Sequence, residues 1–173
     1  MSRLLSWRSI LSLILEIALL CVLIAAFFVR TPQVSGRSME PQIDSGEYVL
    51  IDTLAYRFMR PTRGDIVAFR HGDSESGSSS SVYIKRIIGI PGNRIEIRRG
   101  IVFVNGRRIR EPYVRFRDRR SFPATLVPPN SVYVLGDNRA DSEDSRVFGC
   151  VPESALIGKA LAGIWPPGAL HAL

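Results

Sequence analysis

A mostly β fold, with one N-terminal transmembrane helix leading into a mainly antiparallel β domain, follows from three features of the sequence. An apolar run, Ile10 to Val29, is followed beyond Pro32 by short runs rich in Val, Ile, Tyr and Phe. Turn pairs such as Pro91-Gly92 and Asn105-Gly106 separate those runs. Residues 32–173 show no helical periodicity of ordinary length and no internal repeat. The chain has 173 residues, which leaves room for one domain of ~100–150 residues and a short appendage.

The first element is the run ILSLILEIALLCVLIAAFFV, residues 10–29. At ~1.5 Å per residue, twenty helical residues span ~30 Å, the thickness of a bilayer's hydrocarbon. A cleaved secretion signal has a shorter apolar core and ends in small residues, whereas this run ends in Phe27, Phe28, Val29 and Arg30. It therefore reads as an uncleaved anchor. Arg3 and Arg8 precede it, so the positive-inside rule puts residues 1–9 in the cytoplasm and residues 30–173 on the outer face. Glu16 is the one charge within the run. It reads either as a protonated or snorkelling carboxyl or as a contact to another membrane helix.

The β elements follow in order. EYVLI (47–51), DIVAF (65–69), VYIKRIIGI (82–90), RIEIR (94–98), IVFV (101–104) and VYVL (132–135) read as strands. Asn105-Gly106 between IVFV and RRI predicts a two-residue hairpin turn of the I′ kind. Residues 71–81, HGDSESGSSSS, predict a polar flexible loop. A turn or two of helix is expected only near Leu54–Met59 and Glu153–Ala155. RFRDRR (115–120) is a basic surface stretch.

Composition narrows the chemistry. Lys and Arg number 23 against 16 Asp and Glu, a net charge of +7, and nearly all the cations are Arg. The only histidines are His71, beside the Ser-rich loop, and His171, near the C-terminal end. Neither lies in a segment expected to be rigid, which argues against a Ser-His-Asp enzyme. Two histidines are too few for a His-rich zinc site, and no metal or other cofactor is expected. Cys21 lies in the apolar run and Cys150 in the β domain, so a disulfide between them is not expected.

Four segments carry residues suited to catalysis. GRSMEP (36–41) holds Ser38 between a glycine and a stiffening proline, only nine residues past Val29. Nine extended residues reach at most ~30 Å, so Ser38 stays near the membrane surface. RGDIV (63–67) reads as a turn entering a strand, tied by Arg63 and Asp65, rather than as an adhesion tripeptide. In YIKRIIGIPG (83–92), Lys85 sits in an apolar strand, sharing a face with Tyr83 and Ile87 while Ile84 and Arg86 take the other. A lysine there has its head in water at an edge, or is buried with a lowered pKa. A base working near neutral pH needs a pKa about 3 below the ordinary ~10.4, or ~4 kcal/mol. GDNRADSEDSR (136–146) packs four carboxylates and two arginines into a segment too polar for a core and too varied for a linker.

Taken in this order behind an N-terminal anchor, these segments resemble the type I signal peptidases, Ser-Lys membrane proteases that release exported proteins, and in spacing their compact single-anchor branch. The resemblance covers nearly the whole chain and rests on SMxP, RGD-x-V, K-R-x-x-G-x-P-G and GDNR-x-x-S-x-DSR. It implies a signal-peptidase-like fold and a serine endopeptidase that cuts exported preproteins after small residues at −3 and −1. Ser38 would be the nucleophile and Lys85, neutral, its general base. Ser142 would hydrogen-bond the Lys85 amine, while Asp144 and Arg146 would hold that loop with support from Asp137, Asn138 and Arg139. The Ser38 backbone N–H would be one oxyanion donor. A serine that supplies the second donor in some relatives is replaced here by Gly36, which leaves that donor unassigned.

The substrate would bind as an added strand beside Lys85 or the Ser38 segment, with Val34, Ile43 and Ile84 as walls of shallow pockets. Its partners would be preproteins, met after the export translocon, and the lipid bilayer, with no nucleic acid. A plasma membrane is the expected site, with an organelle inner membrane as the alternative. Two other readings compete. Self-cleaving repressor-type proteases share the dyad but carry a DNA-binding segment where this chain has an apolar run. A non-enzymatic basic module would explain the charge but neither Lys85 nor the 136–146 cluster.

Overall fold

The computed structural model describes residues 7–72, 81–166 and 170–173. Helix α1 runs from Trp7 to Phe28 and passes directly into a two-residue strand β1, Val29–Arg30. Twenty-two helical residues rise about 33 Å. Among the described residues no helix is long and apolar enough to cross a membrane. The expected anchor falls partly outside that description, which omits the side chains of Ser9, Cys21 and residues 23–28.

The expected mostly antiparallel β architecture is present. Strands β2 (Tyr48–Asp52), β3 (Ile66–His71), β4 (Ser81–Gly89), β5 (Arg94–Arg98) and β6 (Ile101–Val104) follow the sequence reading closely. They are joined by β7 (Arg107–Arg108), β8 (Phe122–Leu126), β9 (Ser131–Leu135), β10 (Val151–Pro152), β11 (Leu156–Trp165) and β12 (His171–Ala172). The larger sheet runs β1-β2-β11-β3-β4-β9-β10, with β12 against β11; the smaller runs β7-β6-β5-β8. All pairs are antiparallel.

Three apolar clusters hold these layers. Met39, Ile43, Val49, Ile51, Ile66, Ala68 and Ala160 pack beneath the Ser38 segment. Val67, Phe69, Ile87, Val132, Val134 and Val151 fill a second cluster. The alternation of Ile66 and Ala68 with Val67 and Phe69 is the strand period of two, each set serving its own cluster. Ile88, Tyr133 and Leu135 join the small sheet's Ile95, Ile97, Val102 and Val104, uniting the two sheets.

Several expectations need correction. Residues 73–80 of the 71–81 loop lie outside the described residues, but His71 and Ser81 are strand residues paired with each other. His71 is fixed at the end of β3, 4.2 Å from the Phe148 ring centre and 5.8 Å from that of Tyr83. His171 lies on β12, 2.7 Å from the Gln42 carbonyl. Both histidines are therefore held rather than mobile. The short helices expected near 54–59 and 153–155 are present as α2 (Ala55–Phe58) and a 3₁₀ turn, Glu153–Ala155. A further helix, α3 (Ser145–Phe148), is capped by Asp144. Asn105 and Gly106, at φ of 52° and 76°, make the expected turn between β6 and β7.

The largest omission is β11, LIGKALAGIW, which enters between β2 and β3. Its Ala and Gly content hides it from β propensity. The glycine at 158 has a packing reason, since a Cβ there would lie 2.3 Å from the Asp52 carbonyl oxygen on β2.

Candidate active site

The site forms where β4 loses a neighbour. On one side, β4 pairs with β3 along Ser81–Arg86. On the other, pairing with β9 begins only at Arg86, opposite Leu135. Residues 81–85 therefore present an edge, and the Ser38 segment faces it across a cleft of about 640 Å³. Val34, Ser38, Tyr83, Ile84, Lys85 and Glu143 are among the residues lining it. Of the three expected pocket residues, Val34 and Ile84 line this cleft. Ile43 does not; it is fully buried beneath, in the Met39 cluster.

Ser38 and Lys85, 47 residues apart, are brought together with Ser38 Oγ 2.6 Å from Lys85 Nζ. Nζ also donates to the Ile84 carbonyl at 3.1 Å and sits 5.4 Å from the Tyr83 ring centre. Only 3% of Lys85 is exposed. Burial pushes its pKa down from 10.5 to about 8, while the negative charges of Asp144, Glu143 and Asp137 pull the other way. No carboxylate touches the amine among the described contacts. A tenth or so of such a group is neutral at pH 7, and half at pH 8.

The 136–146 segment supports this pair through its backbone. Asn138 N–H donates to the Ser38 carbonyl at 3.0 Å. Gly136 lies where that carbonyl and Ser142 converge: a Cβ there would lie 2.2 Å from Ser142 Oγ and 2.5 Å from the Ser38 oxygen. Only glycine fits without displacing Ser142 and the Ser38 backbone. The sequence marks the segment but not this glycine as its tightest point, because the crowding arises from the folded loop at Ser142 and from Ser38, nearly a hundred positions away.

Asp144, fully buried, is the hub of the segment. It accepts from Ser142 Oγ at 2.8 Å, from the Gly136 N–H at 3.0 Å and from Arg146 Nε and Nη2 at 2.8 Å each. The expected hydrogen bond between Ser142 and Lys85 is not among the described contacts; the Ser142 hydroxyl donates to Asp144, whose charge makes it the strong acceptor at hand. Arg146 also reaches Asp118 at 2.9 Å and the Arg139 carbonyl at 2.8 Å. Arg139 pairs with Glu111 and donates to the Gly136 carbonyl at 2.9 Å. Asp137 receives a two-point contact from Arg86, at 2.9 and 2.7 Å.

Asp65 ties the 62–65 turn as expected, accepting from the Thr62 N–H at 3.0 Å. Lys159, on β11, donates to the other Asp65 oxygen at 2.7 Å. Arg63, the other residue expected to tie the turn, is exposed and makes no ion pair among those described. Among the described residues no cluster of His, Cys, Asp and Glu could hold a metal ion.

A serine hydroxyl against a buried, carboxylate-free amine can perform nucleophilic acyl transfer. Known proteins resemble this chain over most of its length. The profile of the family described as signal peptidase, peptidase S26, matches residues 7–165. A probable signal peptidase I-1 of Synechocystis is 34% identical over 157 residues, 88% of this chain and 80% of that protein. A signal peptidase I of Bacillus caldolyticus is 36% identical over 147 residues, 77% of this chain and 78% of that one. A crystal structure of a signal peptidase I from Enterococcus faecalis shares 32% identity over 58% of this chain and 97% of its own, with a TM-score of 0.48.

Proposed function

The chain belongs to the signal peptidase family, peptidase S26, and from that premise we propose that Ser38 and Lys85 are the nucleophile and general base with which it acts. It is a serine endopeptidase that removes signal peptides from preproteins. The observation that carries the assignment is the 2.6 Å contact between Ser38 Oγ and Lys85 Nζ.

The chemistry follows from that contact. Neutral Lys85 takes the hydroxyl proton as Ser38 Oγ attacks the scissile carbonyl carbon, and the carbonyl electrons move to oxygen. The Ser38 N–H stabilises that oxyanion. Collapse breaks the carbon–nitrogen bond, and the Lys85 ammonium returns its proton to the leaving amine. Water, deprotonated by the same amine, then releases the acyl group and regenerates Ser38. The preprotein enters as an extended strand between the 81–85 edge and the Ser38 segment, its backbone completing the unpaired β4 ladder. Val34 and Ile84 form walls that favour small side chains at −1 and −3.

Residues 10–29 serve as the anchor, with residues 1–9 in the cytoplasm and residues 30–173 outside, next to the bilayer and to the exit of the translocon. The support is the sequence of the run, its Arg3 and Arg8 flank and the direct passage of α1 into β1. The test is purified protein in detergent with a preprotein bearing an Ala-x-Ala site. Wild type cuts after the second Ala and Ser38→Ala does not; equal processing by both removes the assignment. Protease added to intact spheroplasts should digest the chain beyond Arg30, and protection of that region reverses the topology.

A further inference from the structure

Away from the dyad, the small sheet carries a concentration of unmatched positive charge. Arg107 and Arg108 form β7, beyond the Asn105-Gly106 turn. With Arg63, Arg110 and Tyr113 they line a cleft of about 790 Å³. A second cleft of about 430 Å³ shares Arg108 and Arg110 with the first and adds Arg117. All five guanidinium groups belong to exposed residues, and among the described residues none enters an ion pair. The carboxylates nearest in sequence are already engaged: Glu111 pairs with Arg139, and Asp118 with Arg120 and Arg146. Six arginines elsewhere, Arg37, Arg86, Arg98, Arg120, Arg139 and Arg146, are matched with carboxylates; what sets these five apart is that they converge on joined clefts.

Five like charges around joined clefts repel one another unless an anion occupies them. Guanidinium offers a planar fork of donors that suits the paired oxygens of phosphate. Each phosphate brings up to ~2 negative charges, so two or three linked phosphates would balance the set. A peptide strand carries one side chain per ~3.3 Å, alternating between faces, and cannot concentrate charge on one side to that degree. Tyr113 adds a rigid wall, its ring stacked 4.1 Å from the buried Arg86 guanidinium. We propose that the joined Arg63–Arg107–Arg108–Arg110–Arg117 clefts bind a multiply charged, phosphate-bearing anion, independently of the peptidase site.

The test uses the full chain in a neutral detergent, at ~150 mM salt to screen weak surface attraction. Calorimetric titration with tripolyphosphate is compared for wild type, Arg107→Ser/Arg108→Ser, Arg110→Ser, and a charge-matched control, Arg57→Ser/Arg60→Ser, beside α2. The first two variants should each weaken binding, the double by ten-fold or more, while the control changes it less than two-fold. Pairing of β7 with β6 uses backbone groups, so the side-chain changes should leave Tm unaltered; Arg110→Ser lies outside any strand and guards against a misfolded hairpin. A parallel titration with tetraoctanoyl cardiolipin, whose headgroup carries two phosphates, identifies the source. Loss of both ligands in the double variant supports the site with lipid headgroups as its phosphate, and loss of tripolyphosphate alone supports it with a soluble one. No binding by wild type, or equal weakening in the control, overturns the proposal.

Discussion

Lys85 and Arg86 are consecutive residues of one strand, both buried, on opposite faces. Their surroundings differ completely. Arg86 is met by both oxygens of Asp137, by the Gly64 carbonyl at 2.9 Å and by the Tyr113 ring. Lys85 meets a hydroxyl and one carbonyl, with its carboxylates held at a distance. One face supplies a counter-charge and keeps a cation as a structural brace. The other withholds it, so the amine gives up its proton near pH 8. The lesson is that burial alone does not make a base; burial without a contacting carboxylate does.

The sharpest way to break this contrast is to place the wrong cation on the catalytic face. Lys85→Arg retains charge but cannot be deprotonated. It should lose processing activity as fully as Lys85→Ala, by roughly 10⁴-fold or more given how tightly such pairs cooperate. A folded Lys85→Arg protein with measurable wild-type-like turnover would end the Ser-Lys assignment. On the braced side, Asp137→Asn turns an acceptor of two Arg86 guanidinium bonds into a group that opposes one of them. Removing one partner of a buried pair costs about 3–5 kcal/mol. Denaturant unfolding should show a loss of that order.

Smaller effects sharpen the comparison. Glu143 lines the cleft and accepts from the Tyr83 hydroxyl at 3.3 Å. Its charge favours the ammonium form of Lys85. Glu143→Gln should therefore lower the Lys85 pKa and move the acid limb of kcat/KM to lower pH, by roughly a few tenths of a pH unit because Glu143 itself is exposed. Activity at pH 7 should rise slightly; a shift to higher pH would contradict the electrostatic account. Lys159 provides the control, since it has the carboxylate that Lys85 lacks. Lys159→Arg should keep the Asp65 pair and change stability by less than ~1 kcal/mol. The acid limb should not move at all.

Much of this was legible in the sequence because the relevant signals are local. Lys85 stands out as one of two lysines in a chain of arginines, inside an apolar strand. The strands up to Val104 have alternation, β-branched residues and marked turns. What stayed hidden was set by distant contacts. The role of Ser142 depended on where its hydroxyl proton points, which is to the buried Asp144 carboxylate. Ile43 looked like a pocket wall but turned inward, since Met39 and Val49 offered it a drier place. Gly136 matters because Ser142 and the Ser38 carbonyl both pass within a Cβ's reach.

The placement of β11 bears on when the enzyme comes into being. Its ten residues separate β2 from β3, two strands made about a hundred residues earlier. Until residues 156–165 emerge during synthesis, each of those strands lacks its partner, and the floor beneath Ser38 lacks Ala160. Vectorial folding from the N-terminus therefore stalls at an incomplete sheet with two open edges. The proteolytic activity is thereby timed: a growing chain holds Ser38 and Lys85 long before it can use them, and completion of one late strand assembles the cleft.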